Sequence, residues 1–336
     1  MPNSSMVYDK LPKVRLACPL CHGEEFEVLC KTDRYRMGIS TARCSGCGLI
    51  MTNPVPSAEA LEEFYSQHYR NYYRKLERPD LRYIQRYALG RRAEHTVEYL
   101  GSSGLLGAKT QVIDVGCGEG SLNRSIRRHY PTATTFGVEP YEPFAEFARS
   151  YSGCPIFPTL DRVPEHLNRS FGLVIVSYVL EHILEPVEFL RQIKTLLKPT
   201  GKIFIDVPDI CKYHWLADLH IAHIYHFSFR TLARTVEAAG FKVERMEAHR
   251  PPRLPRCIRV SIGQNGESIT IPDTTAAEDA AADRIRRMHR WAVPFSLGFR
   301  LVMAAYDWGW NIFSRLSSMR RSPSSAEPTR DGHEPV

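Results

Sequence analysis

A glycine-rich turn beside an acidic residue is the first feature of the sequence that could bind a ligand. Gly116, Gly118 and Gly120 follow a short apolar segment that contains Asp114. Glycines tolerate a positive φ and let the backbone approach a ligand, and the start of a following helix supplies free N–H groups. A carboxylate beside the turn repels phosphate, so Asp114 disfavours a dinucleotide and favours a ligand that carries an ammonium group.

A second acid, Glu139, ends the next apolar segment of the chain. In folds that alternate strands and helices, an acid at this position meets ribose hydroxyls. Together with Asp114 it indicates a cationic, ribose-bearing ligand, and S-adenosylmethionine meets this description better than NAD.

Four cysteines near the N-terminus form two Cys-x-x-Cys pairs: Cys18, Cys21, Cys44 and Cys47. Each pair presents two thiolates to one metal ion, and two pairs together form the closed four-cysteine site of structural zinc. The chain has nine cysteines and begins without a recognisable signal peptide, which indicates a reducing compartment rather than disulfides. We therefore expect structural Zn²⁺ on these four residues.

Two groups of ionisable residues are candidates for proton transfer. Glu181 and His182 follow the apolar segment 171–178, and His223 and His226 lie in a loop after the next predicted strand. Histidine exchanges a proton near neutral pH, so each is a candidate base. The alternative for both groups is a structural role at the start of a helix. A metal site at His223 and His226 is disfavoured, because no carboxylate or third histidine accompanies them in the sequence.

These residues need a scaffold, and from residue 110 to 249 strand-like apolar segments alternate with amphipathic helical segments. The predicted strands are 111–115, 135–138, 155–157, 171–178, 202–207 and 241–246. Ser228 is placed to cap a helix that Gly240 ends. The alternation predicts an α/β fold with a doubly wound, parallel, Rossmann-like sheet and helices on both faces.

The sequence resembles the class I S-adenosylmethionine-dependent methyltransferases. The resemblance rests on residues 114–120, 138–140, 171–182, 197–201 and 239–241, in that order. It implies that Asp114 and the glycines line the methionine end of the cofactor, that Glu139 holds the ribose, and that Thr159 and Leu160 contact the adenine. The cofactor-binding residues that it implies are Asp114, Gly116, Cys117, Gly118, Glu139, Pro140, Thr159, Leu160, Ser177 and Tyr178.

The resemblance implies methyl transfer, in which a base is needed when the acceptor is a hydroxyl. His182 with Glu181 is the first candidate for this role, and His223 and His226 are the second. An N-terminal cysteine ribbon is similar to that of bacterial methyltransferases of sugars and secondary metabolites. The implied acceptor is therefore a small molecule or a glycan, methylated at oxygen.

The alternative is an RNA methyltransferase that uses the ribbon as an RNA clamp, since a similar ribbon precedes a ribosomal-RNA base methyltransferase. The run 177–180 reads Ser-Tyr-Val-Leu where base N-methyltransferases have Asn/Asp-Pro-Pro-Tyr. The net charge is only +7 over 336 residues. Both observations disfavour nucleic acid as a partner.

The composition is that of an ordinary globular protein, with 43% hydrophobic and 24% charged residues, which excludes collagen-like, coiled-coil and wholly disordered chains. The predicted organisation is a four-cysteine zinc ribbon (14–53), a helical linker or cover (54–105), a methyltransferase domain (106–249), a C-terminal cover or membrane-interface segment (250–320) and a disordered tail (321–336).

The stretch 291–316 is apolar and aromatic, with arginines on both sides. Arg300 and Asp307 interrupt it, which argues against a transmembrane span. Two interpretations remain open: an interfacial helix in peripheral contact with a membrane, or a cover packed on the domain or on a second copy of the chain in a homodimer. The predicted location is the cytoplasm, with membrane association as the alternative.

Overall fold

The N-terminal part of the fold is a set of short antiparallel strands around the paired cysteines. The computed structural model describes residues 10–33, 38–63, 77–214, 218–219 and 222–292. The chain divides into two units, 1–290 and 291–336. Its first strands are β1 (Lys13–Val14), β2 (Phe26–Cys30), β3 (Thr41–Cys44), β4 (Ile50–Thr52) and β5 (Val55–Pro56). β1 pairs with β5, and β3 lies between β2 and β4.

In the described part of the chain, three helices precede the central sheet: α1 (Ala58–Glu63), α2 (Leu81–Tyr87) and α3 (Leu89–Ser102). Ser57 caps α1, because its Oγ accepts a hydrogen bond of 3.3 Å from the Ala60 amide. α3 lies against the central sheet, and the ring centroid of its Tyr99 is 5.7 Å from that of Phe204 in the sheet.

The centre of the fold is a seven-stranded sheet. In chain order its first five strands are β6 (Gln111–Val115), β7 (Thr134–Val138), β8 (Ile156–Phe157), β9 (Phe171–Ser177) and β10 (Leu197–Pro208). They alternate with the helices α4 (Ser121–His129), α5 (Glu142–Ser152) and α6 (Pro186–Leu196). The next elements are β11 (Tyr225–His226), α7 (Phe229–Ala238), β12 (Lys242–His249), β13 (Cys257–Gly263) and α8 (Thr275–Ala292). The strand order is β12-β13-β10-β9-β6-β7-β8.

Both faces of this sheet are covered, as the sequence predicts. Leu173, Val174, Ile175 and Val176 of β9 are fully buried, and their side chains alternate between two apolar clusters. One cluster includes residues of α6 and α7, and the other includes residues of α3 and α4. The helices therefore lie on both sides of the sheet, as in a doubly wound fold.

The sheet is mixed, which corrects the prediction of a purely parallel one. β13 runs antiparallel to both β10 and β12, whereas β6 to β10 are parallel to one another. β13 is not predicted from the sequence, because the three prolines that precede it, at 251, 252 and 255, are typical of irregular structure. An antiparallel strand inserted between β10 and β12 depends on tertiary pairing that local pattern does not encode.

β11 belongs to the N-terminal sheet rather than to the central one. That sheet has the order β11-β4-β3-β2, so a two-residue strand from the loop after β10 extends the ribbon. The loop is the one that carries His223 and His226.

No helix among the described residues has the length and apolar composition that a membrane span requires. The stretch predicted as a membrane-interface segment or cover, 291–316, lies outside the described residues except for the last two positions of α8, and so does the predicted disordered tail.

Candidate functional site

The glycine turn after β6 has the backbone that its sequence predicts. Gly116, Gly118 and Gly120 have φ values of +76°, +59° and +82°. The amides of Gly116 and Cys117 both donate to the Val138 carbonyl, at 2.8 and 3.0 Å, which joins the turn to the end of β7. A Cβ on Gly118 would meet no described atom within 4 Å. The turn therefore leaves open space next to its backbone amides.

Two buried carboxylates border this turn. Glu139 is 3% exposed and accepts hydrogen bonds from the Gly118 amide at 3.1 Å and the Tyr141 amide at 3.2 Å. Asp114 is 4% exposed, and burial, with the nearby charges of Glu119 and Glu139, raises its pKa well above the usual range. Asp114, Glu119 and Glu139 therefore place three carboxyl groups at one turn, and this concentration of acidic groups favours a bound cation.

The other predicted cofactor residues differ in accessibility. The Cys117 thiol packs in the core, where it would lie 2.7 Å from a Cβ on Gly137, so only the backbone of Cys117 lines the turn. Pro140 and Thr159 are exposed. Leu160 is half-buried and begins a 3-10 helix just after β8.

Ser177 is the last residue of β9, the strand next to β6, and Tyr178 follows it. Tyr178 has a φ of +58°, which is unusual for a residue with a side chain. Its amide donates to the Asp206 carbonyl at 2.8 Å, and its hydroxyl lies 3.4 Å from the Cys257 sulfur. The ring is thus directed to the start of β13.

The predicted catalytic residues come together beyond the carboxyl end of β9. Glu181 and His182 belong to a 3-10 helix, Leu180–His182. His182 Nδ1 lies 2.8 Å from the Ala222 carbonyl, and because a carbonyl only accepts, Nδ1 carries the proton. The ring centroids of His182 and His223 are 4.9 Å apart, and those of His223 and His226 are 6.0 Å apart.

Glu181 is a buried acid whose two carboxyl oxygens have no hydrogen-bond partner on another described residue. Its exposed fraction is 1%, and burial raises its pKa to about 8. The Glu181 carboxyl is therefore mainly protonated at pH 7. In this form it can donate one hydrogen bond and accept another.

His226 is less suited to act as a base than the sequence suggests. It is 1% exposed, and burial lowers its pKa to about 4. Its Nδ1 lies 3.5 Å from the Tyr213 hydroxyl, and its backbone pairs with Ile50.

A carboxylate and a further histidine do lie close to His223, contrary to what the sequence predicts. Glu181, His182 and His223 each offer one ligand atom, and the three atoms lie within 4.8 Å of one another. Glu181 and His182 are far from His223 along the chain and meet it only through the fold.

The structure also brings together ionisable residues that sequence reasoning missed. Asp206 and His249, at the ends of β10 and β12, form a buried pair with Oδ1 and Nε2 2.9 Å apart. His249 stacks on His95 of α3, with ring centroids 5.7 Å apart. A carboxylate inside the apolar run of β10 is the signal that could have revealed the pair.

The four paired cysteines form one cluster. Their sulfur atoms lie within 4.8 Å of one another, with 3.4 Å between those of Cys18 and Cys47 and between those of Cys21 and Cys44. These distances between sulfur atoms suit four thiolates that each bind one tetrahedral Zn²⁺ at about 2.3 Å.

Residues 81–245 match the sequence model of a family described as a methyltransferase domain. The match spans just under half of the chain. The central sheet, with helices on both faces, has the Rossmann-like fold of S-adenosylmethionine-dependent methyltransferases.

Among curated proteins, part of the chain is similar to the ubiquinone biosynthesis O-methyltransferases of Citrobacter koseri and Proteus mirabilis. Each is 32% identical, over 120 and 119 residues, which cover 34% of this chain and 48% and 47% of the two proteins. The chain therefore spans about half the length of these relatives.

A solved structure, magnesium protoporphyrin IX methyltransferase from Synechocystis PCC 6803 with bound SAH, aligns with 62% of this chain and 100% of its own. The sequence identity is 16% and the TM-score is 0.45. The family match to the methyltransferase domain includes the glycine turn, Glu139 and Glu181-His182, and it leaves out the cysteine cluster and β13.

Proposed function

We propose that the chain transfers a methyl group from S-adenosylmethionine to an oxygen of a small-molecule or glycan-type acceptor. One observation carries this proposal. The glycine turn and the Glu181-His182 turn follow the neighbouring parallel strands β6 and β9, and the side chain of Val179 fills the space beside Gly116. A cofactor on the first turn would lie next to the ionisable groups of the second.

The residues present fit S-adenosylmethionine. The carboxylate of Asp114 offers a partner for the ammonium group, which would offset the cost of its burial. Glu139 keeps hydrogen-bond acceptors at the turn where the ribose hydroxyls are expected. The open space beside Gly118 allows the methionine part to approach the backbone.

S-adenosylmethionine, when bound, supplies a methyl group on a sulfonium sulfur, and the reaction forms the O–CH3 bond as the S–CH3 bond breaks. The acceptor hydroxyl must lose its proton. His182 holds its own proton on Nδ1 through the Ala222 carbonyl, so the lone pair on Nε2 can take the proton of the acceptor. Glu181 is neutral, and its Oε1 lies 4.0 Å from His182 Nε2 without a hydrogen bond to a described residue. It can therefore orient the acceptor oxygen by donating a hydrogen bond.

Oxygen as the accepting atom is supported by the names of the curated relatives, which are O-methyltransferases. The glycan or small-molecule class is supported by the cysteine ribbon and by the mild net charge of +7. We further propose that the enzyme is cytoplasmic, that it makes peripheral membrane or homodimer contacts through 291–316, and that it does not act on nucleic acid.

We also propose structural Zn²⁺ at Cys18, Cys21, Cys44 and Cys47. Four thiols in a closed cluster suit zinc, and no fifth ligand atom of a described residue joins the group. A metal at this place would link the turn before β2 to the turn between β3 and β4, in a part of the chain with little apolar core of its own.

Two experiments test the proposed function. Calorimetric titration with S-adenosylhomocysteine should show binding to the wild type, and the absence of heat at high protein concentration would overturn the cofactor assignment. The purified enzyme is then incubated with methyl-tritiated S-adenosylmethionine and either a metabolite and glycan extract or total RNA. We expect label in the first fraction, and label confined to RNA would support the alternative function.

A further inference from the structure

The loop that carries His223 lies between the cysteine ribbon and the Glu181-His182 turn. On the ribbon side, β11 pairs with β4 and places Tyr225 opposite Met51. The Thr52 amide continues this pairing with a hydrogen bond of 2.7 Å to the Ile224 carbonyl. The ribbon therefore holds one edge of residues 222–226.

The other edge of the same loop holds the candidate catalytic turn. The Ile224 amide donates to the Glu181 carbonyl at 2.8 Å, and the Ala222 carbonyl accepts the hydrogen bond from His182 Nδ1, also at 2.8 Å. The position of the loop thus determines which nitrogen of His182 keeps its proton, because a displaced Ala222 carbonyl no longer favours the Nδ1–H form.

The side chain of Thr52 connects these two edges. Thr52 is 1% exposed, and its hydroxyl donates to the His223 carbonyl at 3.1 Å. This hydrogen bond fixes the peptide unit that joins His223 to Ile224, whose amide donates to the Glu181 carbonyl. The preceding peptide unit carries the Ala222 carbonyl that accepts from His182. A residue of the ribbon thereby controls the geometry of the proposed base, although 171 positions separate Thr52 from His223.

We propose that Thr52 is a positioning residue that keeps His182 in the Nδ1–H form, with its lone pair on Nε2. The importance of Thr52 for catalysis rests on the proposed function, whereas its effect on the His182 tautomer does not. Because β4 begins three residues after Cys47, the cysteine cluster supports the same strand. The ribbon would then serve the active site from a distance, without contacting the methyl donor.

The test compares Thr52→Val, which replaces the hydroxyl with a methyl group of similar size, with Thr52→Ser, which keeps the hydroxyl. Nitrogen-15 NMR of the histidine rings distinguishes the two neutral tautomers, and a His182→Gln sample assigns the signal. We expect the wild type and Thr52→Ser to show the Nδ1–H form and Thr52→Val to show a mixture. Amide exchange at Ile224 should become about five to ten times faster in Thr52→Val.

An unchanged tautomer and unchanged exchange in Thr52→Val would overturn the proposal, and so would a Thr52→Ser protein that behaves like Thr52→Val, since packing alone would then explain both. If Thr52→Val does not fold, Thr52→Ala removes the same hydroxyl without an added methyl group. The same samples are titrated with S-adenosylhomocysteine. Failure of the wild type to bind would overturn the proposed function and leave the tautomer result standing.

Discussion

Val179 occupies the space that a side chain on Gly116 would need. Gly116 belongs to the turn after β6, and Val179 belongs to the turn after β9, which leads into Glu181 and His182. The contact brings the proposed cofactor site and the proposed acceptor site into van der Waals contact through one pair of residues. A change at either residue should therefore affect both sites.

Gly116→Ala should destabilise the fold by about 2–4 kcal/mol, because its added methyl group overlaps Val179 and alanine is strained at a φ of +76°. Denaturant unfolding measures the loss, and calorimetry should show S-adenosylhomocysteine binding at least tenfold weaker. Gly90→Ala in α3 is the matched control, since a Cβ there meets no described atom within 4 Å. Equal stability of the two variants would contradict this account of the turn.

Asp114 should make cofactor binding depend on pH. Burial raises its pKa, so the carboxyl becomes neutral at a higher pH than an ordinary aspartate does, and the neutral form attracts the ammonium group less. From pH 5 to 7 the affinity of the wild type for S-adenosylhomocysteine should rise, by up to about tenfold per pH unit while Asp114 remains protonated. Calorimetry at a series of pH values measures this slope.

Asp114→Asn should bind at least tenfold more weakly and show a flat profile over the same pH range. Glu142→Gln is the control, because Glu142 is an acid on α5 that pairs with Arg149 at the surface. If Asp114→Asn kept the slope of the wild type, another group would be responsible for the pH dependence.

The four cysteines should bind one zinc ion per chain. Cys44→Ser removes one thiolate from a closed site, so we expect its zinc content to fall to about a tenth of that of the wild type. Elemental analysis of the purified protein measures this, and thermal unfolding should show a lower midpoint. Cys211→Ser, at a cysteine outside the cluster, should retain the metal. A wild type that purifies free of zinc and binds none on titration would rule out the site.

Much of the fold and of the glycine turn can be predicted from the sequence, because both depend on local residue patterns. The apolar run of β9 predicts a strand buried on both faces, and the glycines after β6 predict the positive φ values that the structure has. The pairing of Asp206 with His249 and the hydrogen bond from Thr52 to His223 are different in kind. Each joins residues that only the assembled fold brings together. The carboxylate within the apolar run of β10 marks Asp206 in the sequence, but no spacing identifies its partner, and none connects Thr52 to His223.

Glu181 should make the folded state less stable as the pH rises. Its pKa is about 8 in the folded protein against an ordinary value near 4.5, so between these values the folded state binds more protons than the unfolded state. The contribution of Glu181 is therefore most favourable below pH 4.5, declines as the pH rises, and levels off above pH 8. From pH 5 to 8 the loss should amount to about 3–4 kcal/mol.

Glu181→Gln removes this ionisation and keeps the shape and the hydrogen-bonding groups of the neutral acid. Its free energy of unfolding, measured with urea at pH 5, 6, 7 and 8, should therefore fall less steeply than that of the wild type. Glu188→Gln, at an exposed acid of α6, should follow the wild type curve. Parallel curves for the wild type and Glu181→Gln would mean that Glu181 is ionised in the folded protein at neutral pH, and it could not then donate a hydrogen bond to an acceptor.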